Sequence, residues 1–537
     1  MHQDSGSNLL QGWIARAAAR AADKLWLVSA ENGRTVDYGR LSEITGRFAA
    51  FLNGRGLGPN DRVALLAKNS IEHLLCYLGI MAAGATVCTV HIEMNRNQLD
   101  DIFARLKPKL ILYQEGLRLD ALLAGADVPR LRIGRHDAPD SDSVFGELAR
   151  RPRDEPANPA RAGDDAVILF TSGTSAKPKG VVLNFREYLA NIDPLAEGFG
   201  ITADDRLYDF RPFSWASAQL LGALTPVNRA ATLVLAEKFS ASRFFAHLRE
   251  RGVTIATGNP TTLNILLNTE SSAHRDNLPG LRFITSSSAP LLLDEWKRFE
   301  QKFGIPVAQG YGASEASWIA AIPGESRRLG TVGRPFAYHD LAIVDGEGRR
   351  LPAREIGHIE IGGWPEHPFR YLADDGAIKM HSRGRFRTGD IGSLDADGFL
   401  ILSGREKELI IRGGAKISPM EIDSCLMQCA EVAEAATIGI PDAVYGEEVV
   451  SYVVTRPGAK LDASALLQHC AARLPAFKAP KQIVLSASLP KTERGKLDRK
   501  ALAEKWKQGA ECSSASGGEY LPSTALANPP PERKREL

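Results

Sequence analysis

The hydrophobic positions in the first part of the chain alternate between the periods of strand and helix. Apolar runs at residues 61–66, 85–90 and 109–113 are short enough for buried strands, whereas the spacing at 71–82 and 98–106 predicts helices. Strands that are apolar on both faces and separated by helices are typical of a parallel sheet covered on both sides. The pattern therefore predicts an α/β arrangement for this region.

The same alternation resumes at Arg206. It predicts a strand at 232–235 and helices at 217–226 and 242–251. After Gly330 short strands and turns follow one another, which indicates a smaller β-rich subdomain. The large sheet-and-helix region and this subdomain are predicted to belong to one N-terminal domain.

The pattern as a whole predicts an α/β fold class, in the form of a multidomain α+β chain. Residues 1–403 form the large domain of sheets covered by helices, and residues 409–508 form a separate small α+β domain. Residues 135–163 are rich in Asp, Pro and Arg and are expected to form a surface connection. The tail at 509–537 is rich in Ser, Gly and Pro, which predicts disorder.

Composition narrows the class of protein. The 537 residues carry a net charge of +2, from 66 basic and 64 acidic side chains, so no strong field favours nucleic acid or an anionic membrane. No signal peptide and no membrane span are expected. The six cysteines lack the spacing of a zinc site, which predicts reduced thiols in a cytoplasmic protein. These cysteines are Cys76, Cys88, Cys425, Cys429, Cys470 and Cys512.

The loop Thr171–Gly180 carries the first candidate chemistry. It follows an apolar run and contains small and hydroxyl residues together with Lys177 and Lys179. Exposed backbone N–H groups, hydroxyl donors and cations are what a loop needs to hold a polyphosphate. The order of residues differs from a Walker A loop. By residue type alone, a polar turn between two strands remains an equal alternative.

Five further motifs along the chain resolve this alternative. The loop resembles the phosphate-loop signature T-S-G-T-T-G-x-P-K-G of the adenylate-forming superfamily, with Ser175 and Ala176 in place of Thr and Gly. The further motifs follow in the order typical of that family and make the chain similar to its AMP-binding acyl-CoA synthetases. They are Ser286–Leu291, Gln309–Glu315, Phe386–Asp390, Ser403–Ile422 and Pro490–Arg499.

The resemblance implies an ATP-binding site in the large domain. Tyr311 is expected to stack on adenine, Asp390 to accept both ribose hydroxyls, and Ser314 to contact phosphate and take part in catalysis. Glu315 is expected to hold magnesium, which prefers oxygen ligands. The positions implied in nucleotide binding are Thr171, Ser172, Gly173, Thr174, Ser175, Lys179, Ser288, Ala289, Gly310, Tyr311, Gly312, Asp390 and Arg405.

The resemblance also implies a mobile small domain. Residues 404–408 form its hinge, with Lys407 at the hinge position, and Lys496 is the catalytic lysine of adenylation. Gly413 and Gly414 belong to the loop that faces the thiol acceptor. A lysine on a mobile loop brings a point charge to the reacting carboxylate and α-phosphate.

The implied activity is that of an ATP-dependent carboxylic acid–CoA ligase that uses ATP, Mg²⁺ and coenzyme A. Transfer of the acyl group to a carrier protein or an amine is the alternative with the same first step. A nucleotide-binding protein without turnover is a second alternative, because Ala176, Ser287 and Ser314 depart from the family pattern.

The acyl pocket is expected near Trp215 and Ala313. Small residues at 216–218, together with Trp318, predict an apolar pocket for an aromatic or medium-chain acid. A core position for Trp215 is the equal alternative. The sequence does not identify the acid.

Overall fold

The computed structural model describes residues 9–117, 128–151, 160–171, 177–321, 327–362, 368–456, 458–459, 461–492 and 496–515. The chain divides into two compact units between Leu402 and Ser403. The predicted α/β, multidomain α+β class is confirmed, with a large N-terminal sheet domain and a small C-terminal domain. No helix in the described ranges is both long and apolar enough to cross a membrane.

The first unit contains an eight-stranded sheet. Its middle strands are parallel, and the hairpin that carries the phosphate loop adds antiparallel strands on one side. In spatial order the strands are β19 (Ile378–Arg383), β18 (Pro368–Leu372), β8 (Lys179–Asn184), β7 (Asp165–Thr171), β4 (Thr86–Thr89), β3 (Arg62–Leu66), β5 (Leu110–Tyr113) and β6 (Arg130–Arg132).

A nine-stranded sheet in the same unit carries most of the remaining motifs. Six of its strands form a parallel series, and antiparallel strands close both edges. In spatial order the strands are β15 (Arg334–Pro335), β14 (Ser317–Ala321), β13 (Val307–Ala313), β12 (Phe283–Ser286), β11 (Ile255–Ala256), β9 (Arg206–Asp209), β10 (Thr232–Leu235), β1 (Leu25–Ser29) and β2 (Thr35–Asp37).

The β-rich subdomain predicted after Gly330 is a four-stranded sheet. Its strands in spatial order are β16 (Asp340–Val344), β17 (Gly357–Gly362), β20 (Phe386–Leu394) and β21 (Leu400–Arg405). β17 pairs antiparallel with both β16 and β20. Apolar side chains of these strands pack together, including Leu341, Ile359 and Leu400.

Helices cover the two large sheets. They are α1 (Leu9–Arg20), α2 (Tyr38–Asn53), α3 (Ile71–Ala82), α4 (Arg96–Leu106), α5 (Val144–Ala149), α6 (Phe185–Leu189), α7 (Ile192–Gly198), α8 (Ala216–Ala218), α9 (Thr225–Arg229), α10 (Phe244–Glu250), α11 (Pro260–Leu267) and α12 (Leu293–Phe303). α3 is buried over its whole length and lies in the largest apolar core. A Cβ at Gly79 of α3 would come within 2.3 Å of the Phe48 ring of α2, so the two helices approach closely only because this residue is glycine.

The second unit is an α+β domain. Its sheet consists of β22 (Ile410–Arg412), β23 (Ala415–Ile417), β24 (Val432–Asp442), β25 (Gly446–Thr455) and β26 (Gln482–Leu485). The helices are α13 (Pro419–Met427), α14 (Ala463–Ala471) and α15 (Arg499–Ala515). β24 and β25 form a long antiparallel pair, and Ala436, Ile438 and Tyr452 on them pack against Leu502 of α15.

Three predictions of local structure need correction. Residues 135–163 are not only a surface connection, because they include α5, whose start is capped by the Ser143 hydroxyl. The helix predicted at 217–226 is interrupted by a π-helical segment at Gln219–Leu224. The tail does not begin at 509, because α15 extends to Ala515, whereas residues 516–537 lie outside the described ranges.

Candidate active site

The phosphate loop joins β7 and β8 as a hairpin. Thr171 and Lys179 pair at its mouth, so the strands hold the ends of the loop together. Thr171 is half-buried and Lys179 is exposed. The predicted phosphate ligands between them, Ser172, Gly173, Thr174 and Ser175, lie outside the described residues together with Ala176.

The two motifs predicted to bind adenine and ribose are joined by a hydrogen bond. The Tyr311 hydroxyl at the end of β13 donates to Asp390 Oδ2 of β20 over 2.7 Å, across 79 residues of sequence. The backbone N–H of Asp390 donates to the Thr388 hydroxyl over 3.1 Å, which helps to fix the carboxylate. A Cβ at Gly312 would lie 2.4 Å from the Ser317 carbonyl oxygen, so the turn after Tyr311 requires a glycine. Gly310 is equally confined, because its Cβ would meet the Trp318 ring at 2.4 Å.

Glu315 is bound by a tyrosine that the sequence analysis did not identify. The Tyr371 hydroxyl of β18 donates to Glu315 Oε1 over 2.9 Å. Lys179 Nζ lies 5.5 Å from the centre of the Tyr371 ring. Burial, and then the negative charge of Glu315, raise the pKa of Tyr371 far above its ordinary value, so the hydroxyl stays protonated as a donor. Tyr371 therefore links the phosphate-loop lysine to the carboxylate predicted to hold magnesium.

The half-buried Glu315 is chemically suited to a divalent cation. Its Oε1 accepts from Tyr371, and in the described ranges no hydrogen bond or ion pair reaches Oε2. One fixed carboxylate with an accessible oxygen fits Mg²⁺, which usually keeps several waters and takes few protein ligands. Ser314 and Ala313, which precede Glu315, are also half-buried.

The segment after β12 lies beside the same strand ends. Ser286 pairs with Gln309, and the Gln309 side-chain oxygen accepts from the Leu291 N–H over 3.0 Å. Ser288 has a φ of +74°, in the left-handed region that a serine seldom adopts, and it is half-buried like Ala289. This geometry holds Ser288 and Ala289 next to the strand that carries Tyr311.

The predicted acyl region contains a buried ion pair that the sequence analysis also did not identify. Arg211 Nη2 lies 2.6 Å from Asp209 Oδ2 and Arg211 Nε 3.0 Å from Asp209 Oδ1, and both side chains are fully buried. Trp215, which is 8% exposed, lies just before α8 and the π-helical segment. A signal was present in the sequence, because Asp209 and Arg211 alternate with apolar residues and so share one face of an extended chain.

The predicted residues of the small domain lie together within the second unit. Arg405 and Lys407 are exposed, and Lys407 belongs to a 3₁₀ turn at Glu406–Glu408. Gly413 and Gly414 form an exposed turn with φ values of +56° and +84°, which glycine adopts readily.

Two hydrogen bonds join Lys496 to Thr492. Lys496 is half-buried, its N–H donates to the Thr492 hydroxyl over 3.3 Å, and its carbonyl oxygen accepts from the Thr492 N–H over 2.7 Å. Three residues later, Arg499 binds three groups of the same unit. They are Asp423 at 2.6 Å, the Thr437 carbonyl oxygen at 2.9 Å and Glu408 at 3.2 Å.

A further cluster of possible metal ligands belongs to an ion-pair network. Ligand atoms of Glu72, His136 and Asp137 lie within 4.8 Å of one another. Arg34 occupies this cluster, with its guanidinium 2.5 Å from Glu72, 3.1 Å from His136 and 2.9 Å from Asp137. Since the guanidinium already supplies the positive charge, a metal ion is not required there.

Comparisons with known proteins agree with this arrangement. Residues 14–364 match the family model of the AMP-binding enzymes, and residues 421–496 match that of the AMP-binding enzyme C-terminal domain. Sulfoacetate–CoA ligase of Cupriavidus necator is 33% identical over 91% of this chain and 96% of its own length. Oxalate–CoA ligase of Arabidopsis thaliana is 31% identical over 93% of this chain and 98% of its own length.

A solved structure extends the agreement to the fold. ATP-bound MatB from Rhodopseudomonas palustris superposes with a TM-score of 0.82, at 28% identity over 93% of this chain and 99% of that one. The motifs, the two-unit fold and the curated relatives lead to the same conclusion. The chain belongs to the AMP-binding enzyme family of the adenylate-forming superfamily, and it is an AMP-forming acid–CoA ligase.

Proposed function

We propose that the first unit holds the nucleoside of ATP between Tyr311 and Asp390 and a magnesium ion at Glu315. The observation that supports this most is the 2.7 Å hydrogen bond from Tyr311 to Asp390, because it joins two motifs that are distant in sequence and lie on two different sheets. Thr171 and Lys179, and the loop residues between them, then take the phosphates, with Ser288, Ala289, Gly310 and Gly312 lining the nucleotide. Magnesium supplies positive charge that offsets the triphosphate as it reacts.

We assign the first half-reaction to these groups together with Ser314 and Lys496. A carboxylate oxygen of the acid attacks the α-phosphorus, the bond to the bridging oxygen of the β-phosphate breaks, and pyrophosphate leaves. Lys496 places its charge beside the carboxylate and α-phosphate as negative charge shifts between them. Arg405 contacts the ribose or phosphate of the same nucleotide.

In the second half-reaction the sulfur of coenzyme A attacks the acyl carbon. The carbon–oxygen bond to AMP breaks, the thiol proton is lost, and the thioester forms. We assign the loop of Gly413 and Gly414 to the approach of the thiol, and Lys407 to the hinge that changes the arrangement between the two steps. Hinges of this kind absorb large φ/ψ changes in a few residues at the end of an element.

We further propose that the acid is short and carries a second anionic group. Sulfoacetate and oxalate, in the names of two relatives, are both short acids of this kind. The aromatic or medium-chain acid expected from the small residues around Trp215 and Ala313 stays the alternative prediction. Both residues remain candidates for the pocket wall.

A cytoplasmic location is proposed from the cysteines. The five whose side chains are described, Cys76, Cys88, Cys425, Cys429 and Cys470, are free thiols. Unpaired cysteines are typical of a reducing compartment.

Lys496→Ala tests whether this lysine acts in the first half-reaction only. We expect it to reduce formation of acyl-AMP, measured by ATP–pyrophosphate exchange, by several orders of magnitude. Thioester formation from supplied acyl-AMP and CoA should be nearly unchanged, because Lys496 is assigned to the first half-reaction only. Lys500→Ala, an exposed lysine four residues later, is the matched control. Equal loss in both half-reactions would contradict this role, and acyl-AMP that reacts with a carrier protein or an amine but not with CoA would change the acceptor.

A further inference from the structure

The ion pair of Asp209 and Arg211 is the most deeply buried charge pair beside the predicted acyl region. Both side chains have an exposed fraction of 0%. Burying two charges costs several kcal/mol each unless their hydrogen-bonding capacity is used. The Thr257 hydroxyl donates to Asp209 Oδ1 over 2.9 Å, and Arg211 Nη2 donates to the Ser217 carbonyl oxygen over 3.3 Å. The orientations of the Asp209 carboxylate and the Arg211 guanidinium are therefore fixed by neighbouring hydrogen bonds.

The remaining end of the guanidinium faces a serine. Arg211 Nη1 lies 3.4 Å from the Ser287 hydroxyl oxygen, and Ser287 is 3% exposed. Arginine has no acceptor, so Ser287 accepts in this contact and its own O–H proton remains to donate. The family pattern has glycine at this position, which has no such donor. Ser287 directly precedes Ser288, which we place at the nucleotide.

A second hydroxyl lies on the same side of the strand. Thr285 precedes Ser287 by two residues, so in extended backbone both side chains leave from one face. The Thr285 hydroxyl is buried and has no hydrogen-bond partner among the described residues. Buried hydroxyls without a partner are costly and uncommon, and a ligand that accepts a hydrogen bond removes the cost.

The same residues limit the depth of the site. The π-helical segment packs directly on the ion pair, since a Cβ at Gly222 would lie 2.5 Å from Asp209 Oδ2 and 3.0 Å from the Phe213 ring. Arg211 thus lies against Ser287, and the π-helical segment packs on its partner Asp209 and on Phe213. A long acyl chain would have to displace a buried salt bridge, which is strongly unfavourable.

We propose that Ser287, supported by Arg211 and Thr285, is a binding site for the second anionic group of the acid, a carboxylate or a sulfonate. Because Asp209 offsets the charge of Arg211, recognition depends on oriented donors rather than on net charge. A terminal methyl group cannot satisfy these donors, so monocarboxylic acids of the same length are rejected. The inference rests on the proposed function and adds the residues that select the substrate.

The test is ATP–pyrophosphate exchange with a panel of acids. Oxalate, malonate and sulfoacetate represent short acids with two anionic groups, and acetate, butyrate, benzoate and octanoate represent acids with one. We expect the wild-type kcat/KM for the best acid of the first group to exceed that of every acid in the second by at least about tenfold. Ser287→Ala should reduce it roughly 10- to 100-fold, since it removes a hydrogen bond to a charged group.

Two controls make the outcome decisive. Ser393→Ala removes the hydroxyl of another buried serine of the first unit and should leave the preference unchanged. The KM for ATP should also be unchanged in Ser287→Ala, which separates a substrate effect from misfolding. A wild-type preference for a monocarboxylic acid, or an unchanged preference in Ser287→Ala, overturns the site but leaves the ligase activity standing. No exchange with any acid overturns both the site and the proposed function.

Discussion

Replacing Tyr371 with phenylalanine isolates the hydrogen bond that holds Glu315. The ring keeps its contacts with Lys179 Nζ, 5.5 Å from its centre, and with His381, at 5.4 Å between ring centres. Only the hydroxyl that lies 2.9 Å from Glu315 Oε1 is lost. The variant should therefore fold normally and change only how firmly the carboxylate is oriented.

The expected effect of Tyr371→Phe on magnesium binding can be estimated from the type of hydrogen bond that is lost. A hydrogen bond to a charged group contributes about 1.5–3 kcal/mol. Glu315 is half-buried, so water replaces part of the loss, and we expect about 1.5 kcal/mol, or roughly a tenfold increase in the magnesium concentration that half-saturates adenylation. Glu315→Gln should have a larger effect, because the amide loses the charge as well as the orientation.

The assay is ATP–pyrophosphate exchange over a magnesium titration. Tyr338→Phe is the matched control, because this half-buried tyrosine of the same unit donates to the Trp318 carbonyl oxygen instead. Its magnesium dependence should equal that of the wild type. If Tyr371→Phe also keeps the wild-type dependence while Glu315→Gln does not, Tyr371 does not position the carboxylate. If neither variant changes it, Glu315 is not the magnesium residue.

Two further predictions concern the hinge and the stability of the first unit. Proline fixes φ near −65°, so Lys407→Pro should trap one of the two conformations that the half-reactions need. Acyl-AMP should then accumulate while CoA consumption falls. Normal single-turnover rates in both half-reactions would contradict the hinge. Burial raises the pKa of Glu72, but hydrogen bonds from His136 and Arg34 more than reverse this and lower it to about 2. A folded-state pKa below the ordinary 4.5 stabilises the fold above pH 4.5 and loses this effect as the pH falls towards 2. Glu72→Gln should thus cost about 3 kcal/mol of unfolding free energy at pH 7 and much less at pH 3, measured by denaturant unfolding; an equal cost at both pH values would contradict the ion pair.

The sequence was sufficient for features that depend on local pattern. The helix at 71–82 and the strand at 232–235 were predicted at their observed bounds, because apolar periodicity, capping and burial all favour the same structure there. The π-helical segment was not predictable from periodicity. Its geometry depends on Asp209 and Phe213, which leave no space for a side chain at Gly222.

The site shows the same difference between local motifs and distant contacts. Tyr311, Glu315 and Asp390 could be predicted as site residues because each belongs to a contiguous motif, and these roles stay predictions. Tyr371 was missed because its partner Glu315 is 56 residues away in sequence. The pairing of Arg211 with Asp209 was accessible to sequence analysis, whereas its contact with Ser287 spans 76 residues. Contacts over such separations are created by strand order, which a single sequence does not reveal.

The three bonds of Arg499 have a mechanical consequence. This side chain fastens the start of α15 to Glu408 and Asp423 and to the Thr437 carbonyl oxygen. The turn that contains Lys407 is thereby tied to a residue three positions after Lys496. With the hinge that we propose at Lys407, Lys496 would move together with this turn as part of one rigid body. We infer that the stiffness of this linkage, as well as the freedom of the hinge, would determine how reproducibly the proposed catalytic lysine is positioned.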